Sequence, residues 1–202
     1  TSEGDYTSRI VIMACGPMHK PVKPHLKGME SFTGTSFHSA QWNHNYDLTG
    51  KKVAVIGSGA SAIQFVPAIA FSVAQLTLFQ RTPPWVLPKL DVPVSARWQG
   101  IFKRFPLIQS LLRQLLYLQF ELLNRSLKHP KLIKRLQDAA SRNICRSIKD
   151  EGMRARLTPD YAIGCKRILQ SNSWYRALAK PHVQVVDSVA GVQGKSVIAK
   201  DG

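Results

Sequence analysis

Three small residues and a few cations are the parts of this sequence that could do chemistry. Gly57-x-Gly59-x-x-Ala62 is the spacing with which a main chain wraps a pyrophosphate. Gly57 permits the tight turn. Gly59 has no Cβ, so the backbone can approach phosphate closely. Ala62 is small enough for a helix to pack on the strand before it. Ser58, Ala60 and Ser61 complete the turn, and the helix start offers free N–H groups and a positive dipole end. About 20 residues past such glycines a ribose-binding Asp or Glu is usual; here stand Gln80, Arg81 and Thr82. A carboxylate would repel a 2′-phosphate, whereas a guanidinium offers it a charge-assisted fork. The residues therefore point to NADP(H) over NAD(H), the alternative being a solvated loop arginine. Two further cations, Lys166 and Arg167, follow Gly164-Cys165 after a proline turn. Taken alone, that pair reads as an exposed dipeptide.

Positioning these groups requires a strand, a turn and a helix in that order. Val53-Ala54-Val55-Ile56 is an apolar run of β-formers, and Ile63, Val66, Ile69 and Ala70 follow at helical spacing. Gln75-Leu76-Thr77-Leu78-Phe79 predicts the next parallel strand, residues 182–186 another, and residues 189–199 a hairpin around Gly191 and Gly194. Arg9-Ile10-Val11-Ile12-Met13-Ala14 reads as a short buried strand, followed by a proline-rich linker over residues 17–24. From Val92 to about Glu151 the pattern is helical. Ile108, Leu111, Leu112, Leu115, Leu116, Leu118, Leu122 and Leu123 make one helix apolar on more than one side. The fold class is α/β: a Rossmann-like parallel sheet flanked by helices, with an inserted helical subdomain.

Composition narrows the field. The chain has 202 residues and a net charge of +16. Such a charge suits polyanionic ligands, anionic surfaces or acidic partners. Cys15, Cys145 and Cys165 are odd in number and widely spaced, which argues against a disulfide framework or zinc site and fits a cytoplasmic location. The polar opening has no secretory pattern, and no apolar run is long enough to span a bilayer. Ser58 and Ser61 stand in no nucleophile-elbow pattern. The basic helical run over residues 131–149 is either a solvated face or a surface for lipid or an acidic partner. It carries no aromatic residue among its cations, so no nucleic-acid partner is expected; peripheral membrane contact by these basic helices stays open.

Together these pieces resemble the class B flavoprotein monooxygenases, and among them the type I Baeyer–Villiger monooxygenases. Phe32, Gly34, His38 and Trp42 match the family fingerprint F-x-G-x-x-x-H-x-x-x-W, with Asn43 where Pro or Asp is usual. Trp42 favours the Baeyer–Villiger side over the N- and S-oxygenating relatives, which tend to carry Tyr or Phe there. Ala14-Cys15-Gly16 resembles the segment that leaves the FAD domain, and Gly164-Cys165-Lys166-Arg167 resembles the family's G-x-K-R segment.

The resemblance implies half of a flavoprotein with two dinucleotide-binding domains. Residues 1–31 would end the FAD domain and link onward, and 32–90 would form the NADPH-binding unit. The helical subdomain would be 91–157, the remainder of the NADPH domain 158–188, and a return linker 189–202. It implies NADPH and FAD as cofactors, a small ketone as substrate and an ester or lactone as product. Gly57 to Ala62, Gln80, Arg81, Thr82 and Lys166 would contact NADP, and Arg167 would be catalytic. The family's first glycine fingerprint is missing, so the chain alone is expected to bind NADP(H) and to lack turnover. The alternatives are an N- or S-oxygenating relative and, from another class, a basic module for nucleic acid or membrane.

Overall fold

The computed structural model describes residues 4–14, 16, 20–89, 92–126 and 129–201. Cys15, residues 17–19 of the proline-rich stretch, the side chain of Leu123 and Gly202 lie outside the described residues. The central sheet has three parallel strands: β1 (Lys52–Ile56), β2 (Gln75–Phe79) and β5 (Val183–Val186), in the order β1-β2-β5. Ile56 stands opposite Phe79, and Phe79 opposite Val186, so all three strands end at one level. Alternation explains the burial: Leu76 and Leu78 are fully buried while Thr77 between them is half-buried.

Helix α1 (Ala62–Ile69) lays Ala62, Ile63, Val66 and Pro67 on the sheet. Beside it packs α6 (Trp174–Leu178), which buries Trp174 and Leu178 in the same core. The basic run forms α4 (Pro130–Ser147), whose Ala140, Ile144 and the following Ile148 make a buried stripe at i, i+4, i+8. Lys131, Lys134, Arg135, Arg142 and Arg146 are all exposed, so this helix is amphipathic, with its cations away from the core. Preceding it are α2 (Ala96–Arg104) and α3 (Pro106–Ser126), and after it comes α5 (Glu151–Leu157).

Two short pieces were not legible in the pattern. Strands β3 (Val86–Leu87) and β4 (Leu169–Gln170) pair in parallel over only two residues each, too short for periodicity to register. They enclose a second small core of Trp85, Leu87, Ala140 and Ile163. The hairpin is present as β6 (Val189–Gln193) and β7 (Ser196–Ala199), turning at Gly194.

Residues 9–14 correct one expectation. They form no strand, and Ile10, Val11, Ile12 and Met13 are each more than 70% exposed. An apolar run becomes a strand only where another strand completes its ladder, and no described strand pairs with it.

Arg156 straps the sheet to the hairpin. Its Nη1 donates to the Val185 carbonyl at 3.2 Å and to Asp201 Oδ2 at 2.7 Å, while its own carbonyl accepts from Gln80 Nε2 at 3.2 Å. The hydrogen bond from Arg156 holds the Asp201 carboxyl below the ordinary aspartate range. A lowered carboxyl contributes above its unfolded value and loses that contribution as pH falls through its folded value. By carbon-detected NMR, Asp201 should titrate below an ordinary aspartate and return to the ordinary range in Arg156→Gln. An unchanged Asp201 titration in that variant would remove the strap.

Candidate functional site

The level end of the three parallel strands creates the site. Gly57 leaves β1 at φ +102°, a conformation closed to ordinary side chains, and its amide donates to the Phe79 carbonyl at 2.9 Å. That bond closes the ladder and swings residues 58–61 over the sheet edge. Among the described residues, no acceptor engages the amides of Ser58, Gly59, Ala60 or Ser61. Ser61, at the start of α1, makes no side-chain cap, so the helix N-terminus keeps its orphan donors. A Cβ built on Gly59 would meet nothing within 4 Å. Ala62 is buried, as close helix–strand packing requires.

The strand end of β2 lies next to this turn. Ser58 Oγ donates to the Thr82 carbonyl at 3.4 Å, tying the glycine turn to the loop that carries Arg81. Arg81 is exposed, and among the described residues no carboxylate or carbonyl holds its guanidinium. Gln80 differs from the expectation of a cofactor contact. Its amide still bonds the Val186 carbonyl as part of the sheet, and its side chain turns inward to the Arg156 carbonyl, 6% exposed. Because it remains inside the ladder, it serves the fold, and Arg81 and Thr82 are the residues of this strand end that keep access to the open edge.

The Gly164 turn is brought to the same loop by a chain of contacts that the sequence did not reveal. Trp85 Nε1 donates to the Tyr161 carbonyl at 2.8 Å, and Tyr161 Oη donates to the Pro83 carbonyl at 3.0 Å. Burial pushes the Tyr161 phenol up, keeping it a donor. Lys166 Nζ sits 4.5 Å from the centre of the Tyr161 ring, a cation–π contact. Asn172 pairs twice with the Lys89 backbone, at 2.9 and 2.8 Å. Lys166 and Arg167 are both exposed and line an open groove of about 400 Å³ with Leu87, Asn124 and Gln170. Trp85 is 1% exposed and packs in the small core beside this loop.

The fingerprint residues 32–42 do structural work. A Cβ at Gly34 would stand 2.5 Å from Phe32 Cζ, so any side chain there would displace the ring. His38 Nδ1 accepts from the Ala40 amide at 3.0 Å and caps a 3₁₀ turn, Ser39–Gln41. Trp42 packs edge-on between Phe37 and Phe65 of α1, at 5.2 and 5.3 Å. The segment before them lies against the hairpin: Val192 donates to the Lys27 carbonyl at 2.8 Å, and Gly28, at φ +81°, clears the Val192 carbonyl only because it lacks a Cβ.

These features form a test of fit for NADP. Free amides over an open turn suit a pyrophosphate, an unengaged guanidinium beside them suits a further phosphate, and no carboxylate stands at the end of β2 to oppose it. No residue of this chain is assigned to FAD.

Comparison with known proteins agrees with this geometry. A family model described as pyridine nucleotide-disulphide oxidoreductase matches residues 1–104. The chain is similar to a Baeyer–Villiger monooxygenase of Streptomyces coelicolor, 47% identical over 204 residues, covering 100% of this chain and 39% of that protein. It is also similar to a Baeyer–Villiger monooxygenase of Pseudomonas aeruginosa, 46% identical over 200 residues, covering 98% and 38%. The chain thus spans less than two-fifths of the length of these relatives. Among solved structures it resembles OTEMO in complex with FAD and NADP, with a TM-score of 0.77, 27% identity and coverage of 94% of this chain and 44% of that one. An oxidised steroid monooxygenase bound to NADP gives a TM-score of 0.79 at 26% identity, with the same coverage.

The Trp85–Tyr161 bond should hold the two loops of the site together. Trp85→Phe keeps the buried ring but leaves the Tyr161 carbonyl without its donor, which should lower stability by about 1 kcal/mol. Thermal or urea unfolding checks this; a fall of less than a few tenths would mean that water replaces the indole.

Proposed function

Because the chain belongs to the pyridine nucleotide-disulphide oxidoreductase family, we propose that it is the NADPH-binding part of an FAD-dependent monooxygenase that inserts one oxygen of O₂ into a ketone. The observation that carries the nucleotide assignment is the open turn after Gly57, in which the amides of Ser58 to Ser61 are unengaged among the described residues and Ser58 is bound at Thr82 to the loop that presents Arg81. The ketone follows from the relatives named Baeyer–Villiger monooxygenase and from Trp42 in the fingerprint.

In this reading the amides of Ser58 to Ala62 bind the pyrophosphate, and Gly59 lets it approach the main chain. Arg81 and Thr82 hold the 2′-phosphate, and the attraction of the exposed guanidinium for it is what favours NADP(H) over NAD(H). Lys166, steadied over the Tyr161 ring, adds a point charge on the ribose side. When bound, NADPH supplies a hydride to FAD, and the reduced flavin supplies the activated oxygen. Arg167 stays protonated and offers a fork of donors to the negative charge that develops on the ketone oxygen. His38 and Trp42 are positioning residues that fix the linker to α1. The FAD domain is the partner of this chain in the whole protein, and the free thiols of Cys145 and Cys165 suit the cytoplasm.

Calorimetry with NADP⁺ and NAD⁺ tests the reading. NADP⁺ should bind the tighter. Arg81→Ala should weaken it by roughly 1.5–3 kcal/mol, the worth of a charge-assisted contact, and erase the preference. Equal affinities for the two nucleotides in the unmodified protein would refute the role of Arg81.

Gly59→Ala separates binding from folding. Its new Cβ meets no protein atom, so the unfolding midpoint should hold while nucleotide affinity falls about tenfold or more, the order of one lost close contact. Retained affinity in that variant would place the pyrophosphate elsewhere.

A further inference from the structure

The α2–α3 hairpin has no place in the nucleotide site, and its surface is unlike the rest of the chain. Helix α3 is 21 residues long, about 31 Å at 1.5 Å per residue. Its apolar residues cover roughly 220° of the circumference at 100° per residue. Leu107, Leu111, Leu118, Phe120 and Leu122 are all more than half exposed. Along the same apolar face, Trp98 and Phe102 of α2 with Ile108, Leu111 and Leu115 of α3 line an apolar groove of about 370 Å³. A helix this apolar is ordinarily covered by something.

The charge around it says what. Between residues 92 and 149 stand twelve Lys and Arg against Glu121 and Asp138 alone. Arg97, Lys103, Arg104, Arg113 and Arg125, on the hairpin itself, are all exposed. The core of a protein–protein interface is depleted of charge, whereas long cationic side chains beside an apolar, aromatic face are the pattern of a helix lying in a lipid headgroup layer. Among the described residues no helix is long and apolar enough to cross a membrane, so such a helix would lie on the bilayer.

We propose that the α2–α3 hairpin docks this protein on an anionic lipid surface, with the apolar face of α3 in the headgroup layer and its arginines on the phosphates. The basic face of α4, where the sequence pattern first directs attention, is secondary. The last turns of α3 carry Asn124, which lines the groove at Lys166 and Arg167. Docking would therefore hold that groove close to the bilayer. This inference is independent of the monooxygenase reading.

The test is co-sedimentation of the whole protein with vesicles of phosphatidylcholine, pure or containing phosphatidylglycerol, at low and high salt. Binding to the anionic vesicles should be about tenfold tighter than to the neutral ones and should weaken with salt. Leu111→Asp with Leu118→Asp should abolish it. Arg113→Glu with Arg125→Glu should weaken it about tenfold with an unchanged circular dichroism spectrum and unfolding midpoint, which shows that the variant is folded. The proposal is overturned if the unmodified protein ignores anionic vesicles, or if the charge-reversed variant binds them as well as before. It is equally overturned if vesicle binding is absent and the Leu→Asp pair lowers the unfolding midpoint or dissociates a dimer, since another protein surface would then cover the hairpin.

Discussion

The bond from the Gly57 amide to the Phe79 carbonyl is the constraint on which the site depends. It extends the β1–β2 ladder by one rung and forces the chain to turn where the strands end. The parallel register then decides the rest. With Ile56 opposite Phe79 and Phe79 opposite Val186, the exits of three strands share one edge, the place where open α/β sheets bind ligands. A register slip of one residue would turn Leu76 and Leu78 to the other face and separate Arg81 from the glycine turn.

Around that edge the fold builds in two directions. Toward α4 and β4, Tyr161 holds the β2–β3 loop at Pro83 and Trp85, and Asn172 holds the chain after β3 at Lys89, so the segment carrying Lys166 and Arg167 is tied down on both of its sides. Toward α1, the linker is held by Trp42 on Phe65 and by the contact of Gly28 with β6. The segment before β1 and the hairpin after β5 thus lie against each other. Phe32, Gly34, His38 and Trp42 stand in this segment, and each acts by packing or capping. Such residues can be required by a chemistry that they never touch.

Surface character divides between the helices. α4 buries an i, i+4, i+8 stripe and keeps its cations exposed, away from that stripe, as an amphipathic helix does. α3 has apolar residues around most of its girth, and its neighbour α2 covers only part of them. Two successive helices therefore differ: among the described residues the Leu-rich α3 has only α2 beside it, whereas α4 lies on β3 and α6.

The sequence by itself determined the local elements and the chemistry they carry. Strand, glycine turn and helix at residues 52–69, the strands at 75–79 and 183–186 and the hairpin at 189–199 follow from short-range periodicity and turn residues. The type of residue at Arg81 is likewise local information. Tertiary structure alone decided which side chains face the site. Gln80 and Arg81 are neighbours in sequence, yet one is sealed in the sheet and the other is free, because the ladder to Val186 continues through Gln80 and ends there. The same holds for Trp85, whose indole meets a carbonyl 76 residues away, and for residues 9–14, a run with every local mark of a strand and no described strand to pair with. Periodicity reports what a segment can bury; only the assembled fold supplies the surface, or the ladder, that buries it.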